Sequence, residues 1–243
     1  MVVSRIPTGL VTLLAVVLLA GCTGNDTGGD SDNRSTESLP DAEKLLTQSA
    51  ESIAEIDSTH VSLETSGDVP GLQVKSLDGD LRRQGDRIEA KGTGKMQRMG
   101  QLVEVEFVLA DNALYFKGPT GDFQKLPKSV SSTIYDPSTL LDPDTGIAKV
   151  LHTVQDVETV GQEQLQDTAT FKVTGTVPGK QVGELLPGVS SRADITFWLA
   201  EDNKHRPVKA TVSFPEQEDQ DKPGKVTVTL SDVNEPVTVT PPT

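Results

Sequence analysis

The chain contains the stretch Leu102-Val103-Glu104-Val105-Glu106-Phe107-Val108-Leu109, and this stretch decides the fold class. Apolar side chains occupy every second position, and Glu104 and Glu106 lie between them. A period of two is typical of a β-strand with one buried and one solvated face. Because strands of a parallel sheet are usually covered on both faces, this alternation predicts an antiparallel sheet with one wet face.

The same period recurs from Thr59 onward, and each occurrence predicts a further strand. Asp111-Asn112 predicts a hairpin turn, after which residues 114–116 return as the partner strand. Counting these segments gives about eight to eleven strands. The other strand patterns are Val61 and Leu63; Leu72 and Val74; Ile88 and Ala90; residues 157–160 and 171–173; Ile195, Phe197 and Leu199; Val208, Ala210, Val212 and Phe214; and Val226, Val228 and Leu230.

Four segments have helical character. Apolar residues between Pro40 and Asp57 follow the i, i+3, i+4, i+7 spacing of an amphipathic helix. Short helical turns are predicted over 129–141, a helix capped by Asp144-Thr145 over 147–154, and another over 178–186. The apolar face of the sheet must be covered, and these helices are the available cover. The prediction is therefore one α+β domain, with a curved antiparallel sheet folded over a few helices.

The N-terminus predicts export and lipidation. Residues 1–21 hold one cation, Arg5, an apolar stretch over 10–20, and small residues before the single cysteine, Cys22, which is the layout of a signal peptide. Leu19-Ala20-Gly21-Cys22 matches the lipobox of bacterial lipoproteins, in which the thiol is lipidated and the chain is cut before it. The alternative is an ordinary signal peptide with an incidental thiol. The apolar stretch is shorter than the roughly 20 residues that span a bilayer.

Three segments follow from this pattern: a signal peptide over 1–21, a lipidated cysteine with a flexible tether over 22–38, and a single domain over 39–243. The tail from Pro236 is rich in proline and threonine and is predicted to be frayed.

The net charge excludes some partners. The whole chain carries −14, and removal of residues 1–21 takes away one cation and no acid. Such an acidic balance argues against nucleic acid, whose phosphates require Lys and Arg. It argues equally against docking on anionic lipid headgroups through a basic patch. Membrane attachment is therefore assigned to the lipid on Cys22.

The sequence predicts neither an enzyme nor a metal or cofactor site. His60, His152 and His205 fall on separate elements and are interpreted as surface or boundary residues. No phosphate-binding loop and no Gly-x-Ser-x-Gly motif is present. Residues 142–146 (Asp-Pro-Asp-Thr-Gly) are similar to the start of a calcium loop, but the bidentate Glu is missing. A turn followed by a helix N-cap is the preferred interpretation.

Four segments carry a resemblance to a known family: residues 39–42 (Leu-Pro-Asp-Ala), 58–61 (Ser-Thr-His-Val), 69–81 (Val-Pro-Gly-Leu-Gln-Val-Lys-Ser-Leu-Asp-Gly-Asp-Leu) and 135–151 (Tyr-Asp-Pro-Ser-Thr-Leu-Leu-Asp-Pro-Asp-Thr-Gly-Ile-Ala-Lys-Val-Leu). Together with the lipobox, they resemble the LppX/LprAFG lipoproteins of actinobacteria. The resemblance runs from Leu39 to about Thr240 and is weakest over 85–102 and 216–222.

The resemblance implies a half-barrel antiparallel sheet wrapped over helices and enclosing an apolar cavity for acyl chains. Members bind triacylated glycolipids or triacylglycerol and carry them from the inner membrane toward the outer envelope, in one case alongside a major facilitator superfamily transporter. It implies residence on the outer face of the inner membrane, anchored through Cys22. Each acyl methylene moved from water into such a cavity contributes about 0.8 kcal/mol.

Strand alternation supplies the candidate lining residues, all on the face predicted to point inward. They are Val103, Val105, Phe107, Leu109, Ile195, Phe197, Leu199, Val208, Val212, Val226 and Val228. The residues alone leave a solid core and a cavity both open. Two further hypotheses therefore remain beside the lipid carrier: an envelope scaffold or transporter accessory with a filled core, and an enzyme that acts on envelope lipids.

Overall fold

Alternating apolar residues build one open antiparallel sheet of eleven strands in the computed structural model, which describes residues 38–69, 71–85, 87–127, 140–142, 146–186, 188–215 and 223–242. Strands β1 to β6 form one meander and β7 to β11 a second, and pairing of β1 with β11 joins them, giving the order β6-β5-β4-β3-β2-β1-β11-β10-β9-β8-β7. The strands are β1 Ser58–Ser66, β2 Val74–Gln84, β3 Arg87–Arg98, β4 Gln101–Ala110, β5 Ala113–Lys117, β6 Gln124–Pro127, β7 Gln155–Leu165, β8 Thr168–Val177, β9 Ala193–Ala200, β10 Pro207–Ser213 and β11 Lys225–Ser231.

Three helices lie in the described residues: α1 Ala42–Ile53, α2 Ile147–Thr153 and α3 Gly179–Leu185. Helix α1 is the best formed, because the Asp41 side chain accepts a hydrogen bond from the Lys44 backbone N–H at 2.9 Å. Its apolar face is buried, including Leu45 and Ile53, and the helix packs on α2 and β7. The predicted α+β architecture, a curved antiparallel sheet with a few helices, is confirmed.

A pair of glycines lies face to face on neighbouring strands in the N-terminal half of the sheet. Gly79 on β2 lies opposite Gly92 on β3, and both positions belong to the inward face. A Cβ at Gly92 would lie 2.3 Å from a carbonyl oxygen and 2.7 Å from a Cα atom of β2. Because no side chain fits there, the backbones of β2 and β3 approach closely at this point.

Three expectations need correction. The helix predicted to reach Asp57 ends at Ile53, and Leu72 precedes β2 rather than belonging to it. The tail predicted to be frayed is packed, since Val239 is buried and the Val237 carbonyl accepts a hydrogen bond from Arg82.

Other predictions fall outside the described residues. They are the signal peptide, Cys22, the tether up to residue 37, the turns over 129–139, the cap at 144–145 and the loop over 216–222. Residue 146, a glycine, holds the N-cap position of α2 and makes no side-chain cap. The residues from Ser38 onward form one compact unit.

Candidate functional site

An apolar cavity lies between the C-terminal half of the sheet and the two short helices. Two rows of side chains on neighbouring strands form its floor. In the first row Phe197, Ala210, Val228 and Leu63 stand side by side on β9, β10, β11 and β1. In the second row Ile195, Val212 and Val226 do the same on β9, β10 and β11. The remaining lining residues are Leu140, Ile147, Val150, Val177, Val182 and Leu186.

Helices α2 and α3 form the cover of this cavity. Ile147 and Val150 face it from α2, and Val182 faces it from α3. The two helices are joined on their outer side by an ion pair between Lys149 Nζ and Glu184 Oε2 at 2.9 Å, with both side chains partly exposed. Each helix has only seven residues, well below the length that is stable without tertiary contacts. The cover is therefore held by tertiary contacts, which include the packing of α2 on α1 and of α2 on α3.

The cavity is small in this conformation. The space open to the centre of a water-sized sphere is about 50 Å³. An apolar cavity of roughly 150 Å³ accommodates a benzene-sized molecule, and pockets for larger ligands run to roughly 300–1,000 Å³. An acyl chain therefore does not fit in this conformation, and binding one would require the cavity to widen.

The structure divides the eleven predicted lining residues into three groups. Ile195, Phe197, Val212, Val226 and Val228 line the cavity. Val105, Phe107, Leu109 and Leu199 are buried but lie outside it, and Val103 is half-buried on β4. Val208 is the exception to the alternation itself: the pairing of β9 with β10 slips between Pro207 and Lys209, and Val208 lines a polar groove with Thr227 and Thr229. An extra residue in one strand reverses the faces that follow it, so alternation fails there.

The helices were predicted as a cover, but the predicted lining set was taken from strands alone, and it left out the helical residues and two floor residues, Leu63 and Ala210. The helical spacing of Ile147, Val150 and Val182 had identified the two helices. That spacing shows which face of each helix is apolar, but it does not show which strands the face meets.

The outer face of the sheet carries two polar clusters. His60 on β1 lies between Asp80, with Nδ1 to Oδ1 at 2.9 Å, and Asp78, with Nε2 to Oδ2 at 3.2 Å. The hydrogen bond that Asp80 accepts from the ring, supported by Asp78, raises the pKa of His60 above its usual value. Lys91 Nζ lies 3.6 Å from the other oxygen of Asp80. The three histidines are exposed or half-buried, as predicted.

The second cluster surrounds Trp198, the only tryptophan in the chain. Its indole N–H donates to Glu163 at 2.9 Å, which lowers the pKa of that carboxyl. Lys172 and Lys209 lie over its ring, with Nζ atoms 5.3 and 4.5 Å from the centroid. This ring on the wet face is thus buried by lysine side chains.

In the part of the chain that the structure describes, no three His, Cys, Asp or Glu residues come together as a metal site would require. Within the same residues, no helix combines the length and hydropathy needed to cross a bilayer.

Comparison with known proteins gives consistent results. Residues 41–239 match the model of the LppX_LprAFG lipoprotein family. The chain is 37% identical over 234 residues to the lipoarabinomannan carrier protein LprG of Mycolicibacterium hassiacum, a match covering 95% of this chain and 94% of that protein. It is 32% identical over 238 residues to lipoprotein LprA of Mycobacterium tuberculosis, covering 95% and 94%.

Two solved structures share the fold. LprF from Mycobacterium bovis superposes with a TM-score of 0.71 at 27% identity, covering 84% of this chain and 98% of that one. LppX from Mycobacterium tuberculosis gives a TM-score of 0.61 at 27% identity, covering 82% and 98%.

Proposed function

Because the chain belongs to the LppX_LprAFG lipoprotein family, we propose that it is an extracytoplasmic lipid carrier that holds acyl chains between its curved sheet and helices α2 and α3. The observation that carries the proposal is the cavity, whose thirteen lining residues are all apolar. A catalytic site would need polar groups that converge on a substrate. An apolar space under a thin cover instead suits a ligand recognised by its hydrocarbon.

The cargo we propose is a triacylated glycolipid or triacylglycerol, moved from the inner membrane to the outer cell envelope. Relatives named lipoarabinomannan carrier proteins support a cargo with acyl chains and a glycan headgroup. The chain is proposed to reside on the outer face of the inner membrane, and a major facilitator superfamily transporter would be its partner there.

Lipidation of Cys22 would supply the anchor in this proposal. Two acyl chains hold a protein firmly on a bilayer, whereas one chain binds only marginally. We expect Cys22→Ala to leave lipid binding intact while it impairs lipid traffic in the cell. Full traffic with the unanchored protein would show that the anchor has no part in the transfer.

Loading would require the cover to open. A methylene leaves bilayer hydrocarbon and enters an apolar cavity, so the gain of about 0.8 kcal/mol that holds against water largely cancels. The proposed cost lies in separating α2 and α3 from the floor. Their short length and the partly exposed ion pair between Lys149 and Glu184 make them the part of the site that opens most readily.

Lipid capture tests the proposal directly. Residues 22–243 carrying Cys22→Ala would be purified without detergent, and extracted lipids would be identified by mass spectrometry. Val212→Phe fills the cavity from its floor and should reduce the lipid recovered, whereas Val208→Phe, on the same strand but outside the cavity, should not. If no lipid co-purifies and no labelled glycolipid binds, the carrier proposal is wrong.

A scaffold or transporter accessory with a filled core is the second candidate function. The observation that favours it is the small volume of the cavity in this conformation. It predicts that neither phenylalanine variant changes the lipid content, and that surface changes alone disturb the role in the cell. Turnover of a lipid ester or glycoside, abolished by one point mutation, would instead support an enzyme.

A further inference from the structure

The turn between β3 and β4 presents two large apolar side chains to solvent. Met99 is 95% exposed and Leu102 is 61% exposed, and they lie three residues apart. Single exposed apolar residues are ordinary on protein surfaces. Here, however, one such residue lies at the turn and another at the start of β4, and no part of the described chain covers either of them. Residues 97–102 are called the hairpin tip below.

The hairpin tip projects beyond its neighbours. Strand β3 pairs with β2 as far as Met96, and the Gln97 backbone N–H donates one more hydrogen bond to the Gln73 carbonyl, whereas β4 pairs with β5 only from Glu106 onward. The segment beyond these positions is a two-stranded ribbon, closed by Met99 and Gly100 with φ of 50° and 77°. Two consecutive residues with positive φ are typical of a tight type I′ turn. The tip is therefore a defined protrusion.

The charge of the tip is opposite to that of the whole chain. Arg98 is the one charged residue of the tip. The chain as a whole carries −14. Lys95 lies two residues before the tip and directly across from the acid Glu104. The tip therefore carries one cation beside two exposed apolar side chains, which the net charge of the chain does not indicate.

The tip also lies at the cavity end of the sheet. The row that contains Leu63 continues through Leu77 on β2 to Gly94 on β3. Past Gly94, β3 continues toward the tip. The second floor row of the cavity, which contains Ile195 and Val226, lies on the same side of the first row as the tip does. A surface that meets the tip would thus meet the end of the sheet that bears the cavity.

We propose that the hairpin tip docks on an anionic lipid bilayer, with Met99 and Leu102 entering the headgroup boundary and Arg98 contacting lipid phosphates. Cationic residues beside apolar ones are the combination that favours the interface of an anionic membrane. The strongly acidic remainder would be repelled from the same surface, so the protein would approach with the tip first. The inference stands independently of the cargo, although a carrier would gain from it.

Vesicle flotation tests the inference with residues 22–243 carrying Cys22→Ala, which lack the lipid anchor. The probe is vesicles of phosphatidylcholine with about a third phosphatidylglycerol, compared with phosphatidylcholine alone. Binding should favour the anionic vesicles and weaken with salt. Met99→Ser with Leu102→Ser should reduce partitioning about tenfold or more, and Arg98→Glu about fivefold or more.

Two matched controls are available. Arg87→Glu reverses an exposed charge at the other end of β3, and Val160→Ser removes an exposed apolar side chain from β7. Both should bind as the parent does. A polarity-sensitive dye at Met99→Cys should shift to the blue on anionic vesicles, and one at Val160→Cys should not.

Absence of binding to anionic vesicles, or binding that the tip variants leave unchanged, would overturn the inference. Lipid capture during purification is measured separately on the same proteins. Captured lipid without vesicle binding refutes the tip and leaves the carrier proposal standing. Vesicle binding through the tip without captured lipid refutes the carrier proposal and leaves the tip inference standing.

Discussion

A matched pair of cavity-creating substitutions separates a carrier from a filled-core scaffold. Ile195 and Leu199 lie four residues apart on the same face of β9, and both are buried, but only Ile195 lines the cavity. Each side chain loses three carbons on substitution by Ala, worth about 2.4 kcal/mol of transfer free energy. The space left behind adds about 24 cal/mol per Å³. In protein stripped of lipid, both variants should therefore lose about 2–5 kcal/mol of unfolding free energy.

The two variants should differ when lipid is present. An acyl chain in contact with position 195 can fill the new space, which offsets the cavity contribution and reduces the loss by about 1–2 kcal/mol. Position 199 lies outside the cavity, so its loss should be the same with and without lipid. The assay is urea unfolding of the detergent-free protein before and after delipidation, with equal m-values as the check on two-state behaviour.

The result that would refute this reasoning is an equal response of the two variants. If Ile195→Ala costs the same in loaded and stripped protein, no ligand contacts that part of the floor. If stripping leaves the parent itself unchanged in stability, no ligand was bound, because any molecule that binds only the folded state must stabilise it.

Three further predictions address the helical cover, the close approach of β2 and β3 at Gly92, and the outer face of the sheet. Lys149→Ala and Glu184→Gln should each cost less than about 1 kcal/mol of stability yet speed the exchange of a fluorescent fatty-acyl probe in stopped flow; an unchanged rate would contradict the assigned cover. Gly92→Ala should cost more than about 2 kcal/mol of unfolding free energy because backbone must move, whereas Gly118→Ala, with open space around its Cβ, should be nearly neutral in the same urea titration. The pKa of His60 is raised, so the folded state binds the proton of this ring more tightly than the unfolded chain does. The stability contributed by the protonated ring is therefore full below about pH 6.5 and is lost as the pH rises through the pKa of the folded state. His60→Gln should remove this pH dependence of the melting temperature.

The sequence predicted the sheet well because alternation is a local property. The face shared by Val105, Phe107 and Leu109 is buried as the period of two required. The same argument failed at Val208, because a bulge depends on how two strands pair and leaves no trace in the period. The packed tail was missed for a related reason, since its partner Arg82 lies far away along the chain.

The candidate site was predictable only in part, and the limit is again physical. Periodicity assigned the apolar faces of the strands and helices, but the cavity depends on which faces meet and on how completely they fill the space between them. The His60 cluster shows the opposite case. Its contacts with Asp78 and Asp80 follow from the register of one hairpin, β1 with β2, and correct alignment of that hairpin would have found them.

The helix ends give the carrier proposal a thermodynamic basis. Asp41 caps α1, whereas α2 begins after Gly146 and α3 after Pro178, neither of which makes a side-chain cap. Loss of a side-chain cap costs a helix about 1 kcal/mol, or only about a few tenths where Gly takes the position. In the proposed carrier, transfer between bilayer hydrocarbon and the cavity is nearly neutral, so the free energy of opening the cover would set both loading and release. A better capped cover would trap its cargo, so weak ends on these two helices, beside a well-capped α1, favour exchange over storage.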